Sequence, residues 1–259
     1  PTIGLPLSLS NYQMAPFWAT LLGELGFHVV LSGKSTKDVI HDGVEKVLSS
    51  PCFPVKVAHG HVLALIEKGV DYIWQPSVVS MRKESPAVKR SHLCPYVQTI
   101  PYQVAVALAE PLRTTKLLKP PIHFNGGRTT VIKSLIPVAE QFGLSRGQLA
   151  RAVDAATRAQ ADFDNARLTR GREILDRLDS LPIRRAVVVI SRPYNGCDPG
   201  VSLDVPEKLR KLGVLAIPMD FLDLDNAPVP ETDRIFNNMY WSYGHRILRA
   251  TAIVKNDPR

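Results

Sequence analysis

Two cysteines beside prolines are the residues in this chain best suited to chemistry. Cys52 lies between Pro51 and Phe53-Pro54, and Cys94 is followed directly by Pro95. A proline just after a cysteine is typical of the end of an extended stretch or the start of a helix, because its ring fixes φ and it lacks an N–H group. The sequence therefore predicts that Cys52 lies at a helix start. Unpaired amides and the helix dipole favour an anion there, such as a thiolate or a thiolate-ligated cluster.

The alternative for each cysteine is a small buried hydrophobic residue, which is what a free cysteine often is. A third cysteine, Cys197, lies in the segment Asn195-Gly196-Cys197-Asp198, whose composition is typical of a tight turn. No Cys-x-x-Cys pair or His-x-x-x-His spacing occurs in the chain, so the sequence does not predict a structural zinc site.

Composition narrows the class of protein. The chain has 259 residues, three cysteines and a formal net charge of +8, and its lysines and arginines are mixed with acidic residues along the chain. This mixture favours an anionic small ligand or an acidic partner over nucleic acid. No apolar run of about twenty residues is present, so no membrane span is predicted. The odd cysteine count and the absence of a signal-peptide pattern at residue 1 favour the cytoplasm.

The first half of the chain alternates short apolar runs with helical patterns, which predicts an α/β fold with parallel sheets. Strands are expected at residues 2–5, 28–31, 72–79 and 97–100, and helices at residues 14–25, 35–48, 55–68 and 102–110. Pro120-Pro121 is interpreted as a linker. The domain boundary is therefore placed there, giving a first α/β domain at 1–120 and a helical segment plus second α/β domain at 121–259.

In the second half, helices are expected at residues 128–142 and 145–180, the latter opened by a capping box of Ser145 and Gln148. The apolar, β-branched run 186–190 predicts a strand at the buried centre of a parallel sheet. Residues 214–218 form the next predicted strand, and residues 237–254 a helix-like run whose aromatic residues belong to the core or to a partner surface. The loop 192–200 follows a strand, at the position where doubly wound sheets bind ligands.

Four segments, in this order along the chain, resemble the domain of acyl-CoA dehydratase activase-related proteins. They are Pro51-Cys52-Phe53-Pro54-Val55-Lys56-Val57-Ala58-His59-Gly60-His61, Cys94-Pro95, Arg192-Pro193-Tyr194-Asn195 with Asp198-Pro199-Gly200, and Asn238-Met239-Tyr240-Trp241. That domain is similar to the iron-sulfur subunits of 2-hydroxyacyl-CoA dehydratases and to double-cubane-cluster proteins. The resemblance implies tandem flavodoxin-like (Rossmann-like) domains, the second truncated at its C-terminus.

The resemblance also implies a cofactor and partners. Cys52 and Cys94 match cluster-ligand positions, so an iron-sulfur cluster, of the 4Fe-4S type, is expected. The partners implied are an ATPase activator of the actin-like fold, a homologous dehydratase subunit and an acyl-CoA. The third ligand usual in the family lies in a Cys-Gly-Pro-Asp motif that this sequence lacks, and Cys197 is the candidate substitute.

Other side chains near these segments are candidate cofactor-binding residues. Lys56 and His59 share a helix face with Cys52, where they would stabilise a reduced cluster; the alternative is a polar stripe or a structural histidine. Arg192, Tyr194, Asn195 and Gly196 would bind a phosphate or the CoA pyrophosphate; the alternative is that they close a turn. No Walker sequence or Gly-x-Gly-x-x-Gly motif is present, so ATP hydrolysis is assigned to a partner.

Two functional hypotheses follow. The first is an iron-sulfur domain in ATP-driven, low-potential electron transfer, acting as a component of a reductive dehydratase or reductase. The second is a cluster-free α/β binding or docking module without its own catalysis. The sequence identifies no general acid or base, so whether the chain is an enzyme stays open.

Overall fold

The computed structural model describes residues 1–83, 88–180, 185–228 and 233–257. These residues form two compact units. The first comprises Pro1–Arg82 and Leu93–Ala161, and the second comprises the described parts of 83–92 and 162–257. The chain is α/β with parallel strands, as the sequence predicted. Within the described residues, no helix combines the length and apolar character needed to cross a membrane.

Parallel strands in two sheets, one of four strands and one of two, form the centre of the first unit. The strands are β1 (Thr2–Leu5), β2 (His28–Leu31), β3 (Tyr72–Trp74), β4 (Ser77–Ser80), β5 (Lys116–Leu118) and β6 (Pro121–His123). Four of them pair in the order β2-β1-β3-β5, with Ile3 opposite Val29 on one side and opposite Tyr72 on the other. The order 2-1-3 is the one in which flavodoxin-like sheets begin.

The β3–β5 ladder continues into a second parallel pair, β4 with β6. Gln75 N–H donates to the Leu118 carbonyl and Ser77 N–H donates to the Pro120 carbonyl, each at 2.9 Å. The predicted strand at 72–79 is therefore present as two segments, β3 and β4, interrupted before Ser77. The interpretation of Pro120-Pro121 as a linker was wrong. In this ladder the prolines need only accept hydrogen bonds through their carbonyl groups, so their missing N–H groups cost no hydrogen bond.

The helices of the first unit cover the sheet. They are α1 (Leu9–Gln13), α2 (Ala15–Glu24), α3 (Lys37–Lys46), α4 (Phe53–Glu67), α5 (Pro95–Ala107), α6 (Gly127–Gln141) and the first part of α7 (Arg146–Asp176). The predicted strand at 97–100 was wrong, since these residues lie within α5. Val97, Ile100 and Val104 are buried at helical spacing. Their burial on one face of the helix outweighs the preference of β-branched residues for strands.

Helices α3 and α4 pack unusually closely, as an antiparallel pair. Gly43 of α3 lies against the backbone of Lys56 and Gly60, and Gly60 lies against the backbone of Val39. A Cβ atom at either glycine would overlap a carbonyl oxygen of the other helix. This contact fixes the course of α4 and therefore the position of Cys52 at its start.

The second unit contains a short parallel sheet of β7 (Arg185–Val189) and β8 (Val214–Pro218). Its helices are the remainder of α7, α8 (Pro193–Gly196), α9 (Val205–Lys211), α10 (Arg234–Asn238) and α11 (Ser242–Asn256). Met219, Leu222, Leu224 and Ala250 form its buried core. The expectation that β7 lies at a buried centre was wrong, because the described sheet has two strands and Val187 is 44% exposed.

The compact units also differ from the predicted division at residue 120. Residues 121–161 lie in the first unit, because β6 extends the β4 ladder and α6 packs against β6. The segment 88–92 lies in the second unit, where His92 forms a parallel bridge with Trp241. Helix α10 ends at Asn238 and α11 starts at Ser242, so the helix-like run predicted at 237–254 is broken by the extended residues of this bridge.

We predict that Gly60→Ala lowers the free energy of unfolding by about 1–3 kcal/mol, because the new methyl group must push α3 and α4 apart. Urea denaturation measures the change. Gly147→Ala is the matched control, since Gly147 also lies in a helix but has room for a Cβ atom. Equal stability of the two variants would show that the close approach of α3 and α4 is not a constraint.

Candidate functional site

Cys52 is the N-cap residue of α4, as the sequence predicted. Its carbonyl accepts hydrogen bonds from the N–H groups of Val55 at 3.0 Å and Lys56 at 3.3 Å. Pro54 occupies the first turn, and the Cys52 side chain makes no capping hydrogen bond. The residue is exposed. Its thiol therefore lies at the positive end of a 15-residue helix without being used in the cap.

Cys94 has the same relation to α5. It is the N-cap residue, Pro95 is the first helical residue, and the Cys94 side chain makes no capping hydrogen bond. The preceding residue, Leu93, donates its N–H to the Val79 carbonyl at 3.0 Å, which ties the start of α5 to the carboxyl end of β4. Cys94 is partly buried.

Contacts along α4 show which way it runs against the sheet. His61 bonds to Ser32, just past the carboxyl end of β2, Leu65 lies against Gly4 in the middle of β1, and Asp71 bonds to Thr2 at the amino end. The helix thus runs antiparallel to the strands. Cys52, nine residues before His61, lies about 13 Å along the helix axis beyond the carboxyl edge.

Helix α5 likewise starts at the carboxyl end of a strand, β4, and leads back to the amino end of β5. It packs against both β4 and α4. Neighbouring helices with the same direction bring their first residues to the same end. Cys52 and Cys94 therefore lie at the starts of two helices that contact each other, each start lying toward the carboxyl ends of the strands that its helix packs against.

The two thiols have some of the properties that an iron-sulfur cluster requires of its ligands. Cys52 and Cys94 are free, outside any cap hydrogen bond and at helix N-termini, all of which suit thiolate ligands. Among the described residues, however, no three side chains of His, Cys, Asp and Glu are grouped so that they could hold a metal ion. The pair therefore fits as part of a ligand set and not as a complete one.

The histidines of α4 are structural. His59 is buried, and its Nδ1 lies 2.8 Å from the Val55 carbonyl; because a carbonyl only accepts, Nδ1 carries the proton. Burial lowers the pKa of His59, against smaller opposing effects of the Val55 and Lys56 backbone. His61 is buried with its two ring nitrogens 2.8 and 2.9 Å from the hydroxyls of Ser32 and Ser35. The alternative that His59 is a structural histidine therefore fits better than a role in stabilising a reduced cluster.

Lys56 is half-buried and lies one turn after Cys52. It is the cation of α4 nearest in sequence to the thiol, and positions 52 and 56 share a helix face. Its assignment as a residue that stabilises an anion at the helix start stays a prediction.

The loop after β7 uses its backbone amides internally. The N–H groups of Asn195 and Gly196 donate to the Arg192 carbonyl, and Cys197 N–H donates to the Pro193 carbonyl, at 2.8–3.0 Å. These amides close the short helix α8, as the turn alternative expected. They are not available to a phosphate, so any anion bound by this loop must be held by side chains.

Tyr194 and Arg192 extend from this loop in different environments. Tyr194 is buried, and its ring contacts the Tyr243 ring edge-to-face at 5.9 Å. Arg192 is partly buried, and its side chain makes no hydrogen bond or ion pair with the described residues. The loop therefore presents one guanidinium group that is not paired with any residue that the structure describes.

Cys197 differs from the other two cysteines. It belongs to the second unit, whereas Cys52 and Cys94 belong to the first. The residue as a whole is exposed, yet its pKa is raised to about 11 because surrounding protein desolvates the thiolate and Asp220 repels it, against attraction by Arg167. Both the crowding and the carboxylate favour the neutral thiol. Cys197 is thus protonated at neutral pH and is a poorer ligand than a thiolate.

A cluster of charged residues lies near Cys197 and was not predicted from the sequence. Asp220 is the second residue after β8 and accepts a hydrogen bond from Arg246 at 2.9 Å, and Arg167 lies 3.6 Å from the same carboxylate oxygen. All three side chains are largely buried. The position of Asp220 after a predicted strand could have indicated a site residue from the sequence. Its partners come from α7 and α11, and no sequence pattern connects them to Asp220.

The Asn238-Met239-Tyr240-Trp241 motif has a structural role in the second unit. Its backbone holds His92 through His92 N–H to the Tyr240 carbonyl and Ser242 N–H to the His92 carbonyl. The Tyr240 ring stacks on His92 at 4.6 Å and carries Arg90 above it at 5.0 Å. The motif therefore fixes the position of His92 within the second unit.

Comparison with protein families gave one finding on this chain. A family model described as CoA enzyme activase uncharacterised domain matches residues 2–222, well over half of the chain. Comparisons with curated proteins and with solved structures gave no significant match.

We predict that His59→Gln reduces the loss of stability on acidification. In the wild type, His59 stays neutral in the folded protein but becomes protonated in the unfolded chain as the pH falls below about 6.5. The free energy of unfolding therefore decreases as the pH falls, by at most about 1.4 kcal/mol per pH unit. Urea denaturation at pH 7.5 and 5.5 measures this loss. His245, whose pKa is also lowered by burial, accounts for a remaining loss.

The control for this prediction is His41→Gln, at an exposed position of α3. It should leave the acid-induced loss as in the wild type. A His59→Gln variant whose stability falls between pH 7.5 and 5.5 as steeply as that of the wild type would contradict the structural role of a neutral His59.

We also predict that Cys197 reacts slowly with iodoacetamide. At pH 8 about 0.1% of a thiol with a pKa near 11 is ionised, against about a quarter of an ordinary thiol with a pKa near 8.5. The alkylation rate of the variant Cys52→Ser/Cys94→Ser, followed by mass spectrometry, should rise up to about pH 11. Glutathione is the reference thiol, and a Cys197 rate that levels off by pH 9 would contradict the raised pKa.

Proposed function

Because the chain belongs to the family of CoA enzyme activase uncharacterised domains, we propose that it is an iron-sulfur domain of a dehydratase-activating system. In this proposal it takes part in ATP-driven, low-potential electron transfer of the 2-hydroxyacyl-CoA dehydratase type. The observation that supports the proposal is that Cys52 and Cys94 are the N-cap residues of α4 and α5, two helices that contact each other. The order of the motifs along the chain supports it independently.

Cys52 and Cys94 supply two thiolate ligands. At a helix start the first amides lack intrahelical acceptors, and together with the helix dipole they stabilise negative charge on sulfur. Helices α4 and α5, which contact each other, each provide this environment at their first turn. Lys56, one turn into α4, adds a positive charge on the same helix face. An iron-sulfur cluster, when bound, supplies a one-electron carrier whose potential is tuned by such charges and hydrogen bonds.

The remaining ligands come from Cys197 or from outside the described residues. Cys197 is the weaker source, since crowding and Asp220 keep its thiol protonated. A neighbouring subunit is the alternative source of thiolates. In either case a cluster bound by Cys52 would take its remaining ligands from another part of the protein or from a neighbouring subunit, so Cys52 must be accessible. The exposure of Cys52 meets this requirement.

The partners proposed are those of the activating system. An ATPase activator of the actin-like fold delivers the electrons, which accounts for the lack of a Walker sequence in this chain. A homologous dehydratase subunit receives them, and the acyl-CoA is the substrate of that partner. The chain itself is then an electron-transfer component.

A cluster-free docking module is the second candidate function. It is favoured by one observation, that the described residues include no three metal-ligating side chains grouped together. In that case the same fold would bind the ATPase or the dehydratase without redox chemistry. Iron uptake by the isolated chain distinguishes the two functions.

We predict that anaerobic reconstitution with iron and sulfide gives a chain with bound iron and an EPR signal after reduction by dithionite. Cys52→Ser and Cys94→Ser should each lose most of the iron and the signal, because each removes a thiolate ligand. Circular dichroism checks that the variants fold.

Cys197→Ser is the matched control. If it keeps its iron, the remaining ligands lie outside this chain or are exogenous; if it loses iron as the other variants do, Cys197 is the third ligand. A signal unchanged in Cys52→Ser would remove that residue from the site. A folded wild type that takes up no iron would favour the docking module.

A further inference from the structure

The carboxyl edge of the β7–β8 sheet in the second unit gathers polar groups from three parts of the chain. Arg192 and Tyr194 lie in the loop after β7, and Asp220 is the second residue after β8. Tyr243 and Arg246 lie one turn apart on α11. In parallel sheets, ligands bind at this edge, where the loops after the strands meet.

Tyr243 is the least expected member of this group. The residue is only 4% exposed, and its hydroxyl is buried without a hydrogen-bond partner among the described residues. Burying a hydroxyl in this way is unfavourable, because its hydrogen bonds to water are lost and not replaced. A phenylalanine would fill the same space without that cost, so the hydroxyl needs another explanation, such as a bound acceptor.

The charges around the hydroxyl are mainly positive. Burial raises the pKa of Tyr243, with Tyr194 and Asp220 acting in the same direction and Arg246 and Arg192 opposing it. Both arginines therefore lie within electrostatic range of the hydroxyl. Because the hydroxyl stays protonated, it is a hydrogen-bond donor at physiological pH.

The two arginines have different surroundings. Arg246 donates to Asp220, which also pairs with Arg167, so this carboxylate orients two guanidinium groups. The Arg192 side chain makes no hydrogen bond or ion pair with the described residues. Arg167 and Arg246 thus share the Asp220 carboxylate, whereas the Arg192 guanidinium has no ion-pair partner among the described residues.

We propose that this edge binds an oxyanion, a phosphate or a carboxylate, between the Arg192 guanidinium and the Tyr243 hydroxyl. The loop amides at 195–197 are already paired, so recognition is by these side chains and not by a backbone cradle. Arg192 makes the first contact because it is the more exposed of the two. The loop that carries Tyr194 must then shift to let the anion reach the covered hydroxyl.

This inference goes beyond the proposed function and does not require the cluster. Cys52 and Cys94 belong to the other unit, so oxyanion binding should be the same in Cys52→Ser as in the wild type. If the anion binds and iron does not, or the reverse, the two proposals are separated.

Isothermal titration calorimetry of the full chain with inorganic phosphate, coenzyme A and acetate tests the inference. We expect binding of at least one of them by the wild type and a loss of at least about tenfold in affinity in both Arg192→Gln and Tyr243→Phe, because each removes a hydrogen bond to a charged group. Tighter binding of coenzyme A than of phosphate identifies a phosphate ester as the ligand, whereas binding of acetate alone identifies a carboxylate.

Two matched controls keep the test specific. Arg234→Gln removes an exposed arginine of the second unit, and Tyr240→Phe removes a tyrosine hydroxyl of the same unit; both should bind as the wild type does. The thermal stability of ligand-free Tyr243→Phe is a second readout. It should equal or exceed that of the wild type, since the substitution removes an unpaired buried group.

Three results would overturn the inference. One is the absence of binding of all three anions by the wild type, which would leave water as the partner of the hydroxyl. Another is equal affinity in the wild type and in both site variants. The third is a marked destabilisation of ligand-free Tyr243→Phe, which would show that the hydroxyl has a structural partner.

Discussion

Parallel pairing of the strands in the first unit is the constraint on which the arrangement of the cysteines depends. When β1, β2, β3 and β5 run in one direction, each connection must return to the amino edge, and the helices do so. Helices α4 and α5 therefore both begin toward the carboxyl ends of the strands that they pack against. The close glycine contact of α3 with α4, and the hydrogen bond from Leu93 to β4, fix where each of them starts.

The two units place their chemistry at the same kind of edge but give it different character. In the first unit two cysteines occupy the N-cap positions of long helices, where the dipole favours a negative charge. In the second unit the cysteine lies near a carboxylate and is protonated, while an arginine side chain and a buried tyrosine hydroxyl have no hydrogen-bond partner among the described residues. We therefore propose thiolate chemistry for the first unit and anion binding for the second.

The sequence predicted well those features that depend on local chemistry. Pro54 marked Cys52 as a helix start, Ser145 and Gln148 form the predicted capping box, and the apolar run at 214–218 is a strand. It failed where distant contacts decide the structure. Residues 97–100 are helical because Val97 and Ile100 are buried on one face of α5, and Pro121 lies in a strand because β4 lies beside it. Tyr243 had no local signal, since its surroundings come from the loop after β7 and from β8.

The separation of Cys52 and Cys94 tests the central claim most directly. Nitroxide labels on both cysteines of Cys197→Ser, measured by dipolar EPR without iron, report this distance. The account predicts labels less than about 20 Å apart, because packed helices have axes about 8–10 Å apart and these two start at the same end. A separation well beyond the roughly 22 Å length of α4 would place the cysteines at opposite helix ends and contradict the account.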